Sequence, residues 1–427
     1  MKESMSTILV VTVGGSCQPV VTAVTDYQPR HVYFIASEGA RGSRPTVDAA
    51  GAPCKGRTSA EEAPSIVVQT GLTNSQYSIR PVGDPDSLQE CYAVIQSVLR
   101  EAAEANPNCR YVADYTGGTK TMSVALAMAA LEADWELSLV KGARTDLVKV
   151  VDGTEVAGLV NSWEVRARQR MEEARRLFND HHYAAAETLL GGILQAGAVS
   201  TALQTTLREW IGLARGLDAW DRFDHVRAMA VLTPYQSRIV PNYIFLKQIL
   251  GNDKRATGYE GAFDLLRNAE RRAHQGRYDD AAARLYRACE MFAQIRMRQR
   301  TPSLNSSNLD LTLLPETLRE RYSHWRDAED GKIKLGLRQD YELLAALDDP
   351  VGIVYQRVSR NLLNGLSARN NSILAHGEQP LTAADYRAFA ELITSLFESA
   401  CTQLKVTIKA PQFPELDRAL AEMKRTQ

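Results

Sequence analysis

"DYTGGTKTM", residues 114–122, joins the apolar run "CRYVADY" (109–115) to the Ala-, Leu- and Met-rich stretch "TMSVALAMAALEA" (121–133). The first reads as a buried strand and the second as a helix, so two glycines, two hydroxyls and a lysine stand at a strand-to-helix junction. In an open α/β sheet, ligands sit beyond the carboxyl ends of the strands, where the next helix begins. Gly117 and Gly118 let backbone N–H groups approach a ligand closely, and the helix start adds partial positive charge. Thr116 and Thr119 supply hydroxyls and Lys120 a cation, a set suited to phosphate or a nucleotide. A Walker A loop needs Gly immediately before the Lys; Thr119 stands there instead, which argues against ATP hydrolysis by that route. The structural alternative has the glycines turn the chain, Thr119 cap the helix and Asp114 bond nearby amides.

Working outward, "TILVVTV" (7–13), "HVYFIAS" (31–37) and "SIVVQT" (65–70) read as further strands buried on both faces. "DSLQECYAVIQSVLREAAEA" (86–105) has helical spacing with Asp86 placed to cap it, and "ELSLV" and "LVKVV" are two short strand candidates after the helix. The expectation for residues 1–162 is a Rossmann-like α/β domain. Its long segment from Glu38 to Pro64, dense in Gly, Ala, Pro and Ser, reads as a functional or mobile loop. A second polar loop, "TVGGSCQPVV" (12–21), follows the first strand. In a parallel sheet it puts Gly14, Gly15, Ser16 and Gln18 on the same edge as Thr116 to Lys120. It lacks GxGxxG, which counts against a dinucleotide cofactor. Two Gly-bearing loops on one edge suggest a broader, phosphate-rich ligand.

Beyond about residue 163 the strands stop. "VRARQRMEEARRLFNDHHYAAAETLLGGIL" and "LLRNAERRAHQGRYDDAAARLYRACEMFAQIRMRQR" share a plan of helix, polar turn, Tyr and Ala-rich helix. They read as tetratricopeptide-like units or as simple αα-hairpins. Residues 163–258 are expected to form a helical linker and 259–427 a further helical domain. There, "LTAADYRAFAELITSLFESACTQL" (381–404) has Thr382 as N-cap, and the tail after 407 looks peripheral.

The 50 basic and 51 acidic residues of the 427 give a net charge of −1, so any nucleic-acid contact must come from a local patch. "ERRAHQGR" (270–277) and "QIRMRQR" (294–300) are candidate RNA guides or solvated helix faces. Six scattered cysteines without CxxC argue against a zinc site and against a disulfide framework, and fit a reduced cytoplasm. No segment approaches the roughly 20 apolar residues that span a bilayer, and "MKESMSTILVVTVGG" is too short for a signal core, so no membrane association is expected. No metal site is expected either: His181 and His182 have no acidic partner at ligand spacing and read as surface imidazoles, and His31, His225, His274 and His324 read as solitary.

The last chemical stretch is "GLSARNNSILAHGEQP" (365–380). Arg369 and His376 are seven positions apart, which on one helix places both on one face about 10.5 Å apart along the axis. Gly377 would cap that helix, and Asn370 lies beside the pair. A solvated Arg with a capping His is the structural alternative.

"VTVGGS" paired with "ADYTGGTKTMSVALAMAAL" resembles the CRISPR-associated Rossmann-fold (CARF) domain over residues 7 to 160. The resemblance implies a sensor of cyclic oligoadenylates made by type III CRISPR complexes, a homodimer whose two sensors share one ring across the two-fold axis, and a Thr116 that in some such domains helps cleave the ligand slowly. Helical domains joined to such sensors are commonly HEPN ribonucleases, whose Arg-to-His signature "RNNSILAH" resembles; "GRYDDAAARLYRACE" (276–290) also resembles their opening helices. This implies Arg369, Asn370 and His376 as catalytic residues of a metal-independent endoribonuclease acting on single-stranded RNA. Cyclic oligoadenylate would then be its allosteric activator, with no cofactor. Two alternatives stay open: a sensor carrying a non-catalytic interaction module, and a ring nuclease whose helices are scaffold.

Overall fold

In the computed structural model, the described residues are 5–39, 41–55, 62–141, 144–146, 149–150, 156–196, 199–370, 373 and 377–416. The chain divides into two compact units, Met1–Ala167 and Arg168–Gln427.

The first unit is Rossmann-like. In chain order it comprises β1 (Thr7–Val13), α1 (Gln18–Tyr27), β2 (His31–Ser37), α2 (Arg44–Asp48), β3 (Cys54–Lys55), β4 (Glu62–Ala63), α3 (Ile66–Thr70), β5 (Tyr77–Val82) and α4 (Leu88–Ala105). Next come β6 (Arg110–Asp114), α5 (Lys120–Glu132), β7 (Glu136–Lys141), β8 (Arg144–Asp146), β9 (Lys149–Val150) and β10 (Val156–Val160). The main sheet has the order β10-β7-β6-β1-β2-β5, parallel except for β10. Leu9, Val11 and Val13 of β1 pack with α1 and α3 on one face, and Ile8 and Val10 pack with α4 and α5 on the other. A strand covered on both faces has no solvent side, which is why these strands read as unbroken apolar runs.

Three local expectations are corrected. "SIVVQT" is the short helix α3, not a strand: Ser65 precedes it, Gly71 ends it in a left-handed turn at φ 68°, and Val68 is 65% exposed, so only one face is buried. The strand that pairs with β2 is instead β5, which sequence reading missed along with β10. Ser87, not Asp86, caps α4: its hydroxyl accepts the Glu90 N–H at 3.3 Å.

The second unit is helical: α6 (Trp163–Asn179, entering from the first unit), α7 (Tyr183–Gln195), α8 (Thr201–Asp221), α9 (His225–Leu232), α10 (Val240–Ile249) and α11 (Glu260–His274) lead. They are followed by α12 (Tyr278–Gln299), α13 (Glu316–Ser323), α14 (Leu337–Ala346), α15 (Pro350–Asn370) and α16 (Ala383–Leu404). The two stretches of shared plan turn alike: His181 and Gly276, each two residues before the Tyr that opens the next helix, have φ of 63° and 72°. His181 is half-buried rather than a free surface imidazole. Its Nδ1 lies 2.8 Å from the Tyr183 hydroxyl, and burial lowers its pKa to about 4. Nor are His225 and His274 solitary; they face Asp264 at 2.9 Å and Asp180 at 3.4 Å.

The core of this unit stacks Tyr259, Phe292 and Phe397 at centroid distances of 4.5 Å. The tail is not peripheral. Ala410, Phe413 and Leu416 are buried, Arg267 Nε donates to the Ala410 carbonyl, and Arg271 lies 3.7 Å over the Phe413 ring. A guanidinium on an aromatic face gives this segment an anchor that its prolines do not advertise.

Candidate functional sites at a sheet edge and a helix end

Chain order places the first site. From β1 the connections run outward through β2 to β5, then return to the other side of β1 at β6 and continue to β7. The reversal lies between β1 and β6, and at such a switch point the loops leave in opposite directions and open a crevice. The loops that leave there are Gly14–Cys17 and Tyr115–Thr119. The pairing is parallel, Val11 facing Asp114, so both sequence-selected loops stand on one edge.

Backbone contact locks the two loops together. A Cβ on Gly117 would lie 2.2 Å from the Thr12 carbonyl oxygen, and one on Gly14 would lie 2.8 Å from the Gly118 nitrogen. Gly118 has φ +83°, a conformation that L side chains rarely adopt. Thr12, which sequence reading passed over, donates from Oγ1 to the Gly117 carbonyl at 2.7 Å, and Ser123 Oγ donates to the same oxygen at 2.9 Å. The signal for Thr12 is a hydroxyl two residues before the first glycine, after an unbroken apolar run from Ile8 to Val11.

Asp114 is buried beneath the loop. Its Oδ1 accepts the Thr116 N–H at 3.1 Å and its Oδ2 accepts from Ser138 Oγ at 2.7 Å, while the Tyr27 hydroxyl donates to Ser138 Oγ at 2.9 Å. Burial raises the Asp114 pKa, and the bonds from Ser138 and Thr116 oppose that shift. Thr116 Oγ1 accepts the Val140 N–H at 2.7 Å, which fixes the hydroxyl on β7. Thr119 is engaged twice: Oγ1 caps α5 by accepting the Met122 N–H and donates to the Pro85 carbonyl at 2.7 Å.

The helix starts of α1 and α5 both reach this edge. Among the described residues no hydrogen bond engages the backbone N–H of Gly15, Ser16, Gln18, Gly118 or Lys120, and none engages the Ser16 hydroxyl. Lys120 is exposed and forms no ion pair among them. Two positive helix ends, open N–H groups and one cation make an edge complementary to anions. At the neighbouring end of β2, Glu38, Gly39, Arg44, Pro45, Asp48 and Ala49 line a hollow of about 410 Å³.

Against the reading of the six cysteines as unpaired, Cys17 and Cys54 form a disulfide with Cα atoms 5.9 Å apart. Their sequence separation of 37 hides a proximity that the first residues of α1 and the small β3–β4 hairpin create.

In the second unit, Arg369 and Asn370 end α15; their side chains, and all of His376, lie outside the described residues. Ile373 stands in a turn and its N–H donates to the Gln379 carbonyl, while the helical spacing expected from Arg369 to His376 falls largely outside the described residues. The opposite end of α15 is firmly held: Asp349, fully buried, accepts the Val351 N–H at 3.0 Å and is flanked by Arg296 at 2.9 Å and Arg300 at 2.5 Å. Gly352 packs so closely on α14 that a Cβ would meet the Ala345 nitrogen at 2.1 Å. Among the described residues there is no group of His, Cys, Asp and Glu arranged to hold a metal ion, and no helix long and apolar enough to cross a membrane.

Comparison with known families gives two matches. A model described as the Csm6 HEPN domain matches residues 254–400, and one described as the Csm6 6H domain matches residues 167–266. Among solved structures, Enterococcus italicus Csm6 bound to cyclic hexa-2'-fluoro-hexa-dAMP aligns over 99% of this chain and 98% of that one, with TM-score 0.58 and 14% identity. Can2 from Sulfobacillus thermosulfidooxidans, in complex with cyclic tetra-adenylate, aligns over 48% of this chain and 58% of that one, with TM-score 0.23 and 16% identity. No curated protein sequence matches the chain. At these identities the first structure speaks to fold: a Rossmann-like domain, a helical region and a C-terminal HEPN domain in one chain.

Proposed function

The chain belongs to the Csm6 family of CARF–HEPN CRISPR effectors, endoribonucleases by their HEPN domain, and we propose that it cleaves single-stranded RNA without a metal when a cyclic oligoadenylate occupies the β1/β6 crevice. The observation that carries this reading is the convergence of two glycine loops and two helix starts, with open N–H groups, at the switch point. Gly14, Gly15, Ser16, Gln18, Thr116, Gly117, Gly118, Thr119 and Lys120 make up the ligand edge. Backbone groups and Lys120 supply most of the contacts, because the Thr119 hydroxyl is already engaged. A ring with repeating phosphates suits a two-fold homodimer, in which each protomer offers the same edge. The bound protein at the head of the structural comparison, which holds a cyclic adenylate analogue, supports the choice of ligand class.

The cleavage chemistry needs no cofactor. RNA carries its own nucleophile, the 2′-OH, so the protein has to move a proton near neutral pH and steady the charge that grows on the phosphate. His376 does the first and Arg369 the second, with Asn370 orienting one of them. The products are a 2′,3′-cyclic phosphate and a 5′-hydroxyl. A composite site of two chains brackets one phosphate better than a single Arg and His do. The reaction takes place in the cytoplasm, where its RNA substrate is found.

A second, slower activity is ring opening at Thr116. It is favoured by the anchoring of Thr116, whose hydroxyl accepts the Val140 N–H while its own backbone N–H is held by Asp114, which keeps it still beside a bound ring.

The test is cleavage of a fluorogenic single-stranded RNA in EDTA with cyclic tri-, tetra- and hexa-adenylate added separately. Cleavage with one ring, abolished in His376→Ala, is the expected result. Ring binding without RNA cleavage in any mixture would favour the interaction module, and linearisation of the ring alone would favour the ring nuclease.

A further inference from the structure

We propose that the Cys17–Cys54 disulfide is a thiol switch on the ligand crevice, tightening the hold on cyclic oligoadenylate when formed and loosening it when reduced. The proposal rests on the crevice being the ligand site, as argued above, but its chemistry is measurable without any ligand.

Cys17 is the N-cap residue of α1 and follows Gly14, Gly15 and Ser16 directly. It therefore terminates one wall of the crevice. Cys54 lies on β3, in the segment inserted between β2 and α3. The disulfide brings the two Cα atoms to 5.9 Å, so the hairpin stands beside the glycine loop.

Beyond that bond the hairpin is held by packing rather than by backbone pairing: Cys54 is buried in a cluster with Val20, Val47 and Ile66, and Ala63 rests against it. β3 and β4 pair only with each other, and among the described residues no backbone hydrogen bond joins 50–55 or 62–63 to the rest of the domain. By contrast, the preceding α2 is secured without the disulfide: the Ser37 and Ser43 hydroxyls and amides bond one another near 3.0 Å, and Val47 is fully buried. Breaking the S–S bond thus leaves the hairpin to side-chain packing alone and removes its covalent tie to the start of α1.

The remaining cysteines sharpen the assignment. Cys91, Cys289 and Cys401 are buried and unpaired, and Cys109 is half-buried. Cys17 is equally buried but stands at the N-cap of α1, where the helix end stabilises a thiolate. Both cysteines are only 2% exposed, so reduction follows a local opening of the hairpin, after which a thiolate attacking Cys54 Sγ expels Cys17 as that stabilised thiolate. The step balances: the protein disulfide and two small-molecule thiols give two protein thiols and one small-molecule disulfide, and glutathione disulfide reverses it.

The test uses the full chain equilibrated with either glutathione disulfide or a phosphine reductant. Each sample is alkylated and digested without further reduction, and its affinity for fluorescent cyclic tetra- and hexa-adenylate is measured in parallel. The expected result is a linked Cys17–Cys54 peptide only in the oxidised sample, a ring affinity at least tenfold tighter there, and a Cys54→Ser variant that binds like reduced protein in both buffers. Both cysteines alkylated after oxidation, or equal affinity in the two states, would overturn the proposal. If no ring binds in either state, the ligand reading fails instead. Amide exchange then decides the switch: at least tenfold faster exchange of peptides covering 12–21 in the reduced sample sustains it, and unchanged exchange sinks it.

Discussion

The β1/β6 crevice and the HEPN end of the chain are held in place by opposite means. In the crevice, geometry comes from missing side chains: a methyl group on Gly14 or Gly117 meets a backbone amide or carbonyl, and Gly118 turns the chain at a positive φ beside the Thr12 and Met122 side chains. In the helical unit it comes from side chains that are present and far apart in sequence. Asp349 pairs with Arg296 and Arg300, and Phe413 inserts beside Arg271, Trp220 and Tyr183. The first arrangement tolerates no addition and the second no deletion. Each prediction presses on that contrast.

The largest effect expected is on chemistry. Arg369→Ala should lower RNA turnover by about 10²–10³-fold, as loss of a group that stabilises developing charge does, while ring affinity in the first unit stays unchanged. A parallel loss of ring affinity would mean that the two regions are not chemically separate. Next comes Phe413→Ala. Removing a buried aromatic from the side-chain-built region should cost about 3 kcal/mol or more, read as a shift of the denaturation midpoint for the helical unit. A loss under about 1 kcal/mol would show that the tail is held by its hydrogen bonds, such as those of Ala410 and Gln412, rather than by its aromatic anchor. In the crevice, Gly117→Ala is the mirror experiment. The new methyl group meets the Thr12 carbonyl oxygen at 2.2 Å, and overpacking of this kind costs about 1–3 kcal/mol. Ring affinity should fall with it, because the same contact sets the loop.

Asp340 tests the helical core by pH. It is fully buried, its Oδ1 accepts from Ser306 Oγ at 2.6 Å, and burial raises its pKa to about 7, against the lowering by Ser306. The folded state therefore keeps a proton that the unfolded chain has already released above its ordinary carboxyl range. This group's contribution is full below about pH 4 and declines as pH rises towards 7, by up to about 1.4 kcal/mol per unit. Denaturation midpoints across pH 4.5–7.5 should fall in wild type relative to Asp340→Asn. A flat difference would place the carboxyl in contact with solvent.

The same contrast explains what the sequence could disclose. Glycine–hydroxyl–lysine loops state their requirements locally, so the placement of both loops on one parallel edge was legible before any coordinates. Thr12 was missed because its partner, Gly117, lies 105 residues away. "SIVVQT" reads as a strand by its β-branched residues, but only one face is covered, and Ser65 and Gly71 close it as a helix. The tail after 407 looked loose because its anchors, Arg267 and Arg271, sit on α11 about 140 residues earlier. At the HEPN end α15 closes at Asn370, and most of "RNNSILAH" lies outside the described residues.

The smallest effect is the most discriminating. Gly15 sits in the same loop as Gly14, yet a Cβ built on it has no neighbour within 4 Å and its φ lies outside the left-handed range. Gly15→Ala should therefore change stability by less than about 0.5 kcal/mol, the range of exposed substitutions without a structural role. Nothing in the free protein registers the methyl group, so any change in ring affinity has to come from the ligand itself. If the ring lies against this loop, the methyl group occupies space that a phosphate or its N–H contacts require, and affinity falls while the melting curve stays put. If both stay put, the ring is bound by the α5 side of the crevice alone, and Gly14 and Gly15 serve only to turn the chain. Gly14→Ala cannot separate these outcomes, since its Cβ meets the Gly118 nitrogen at 2.8 Å and would disturb both loops at once.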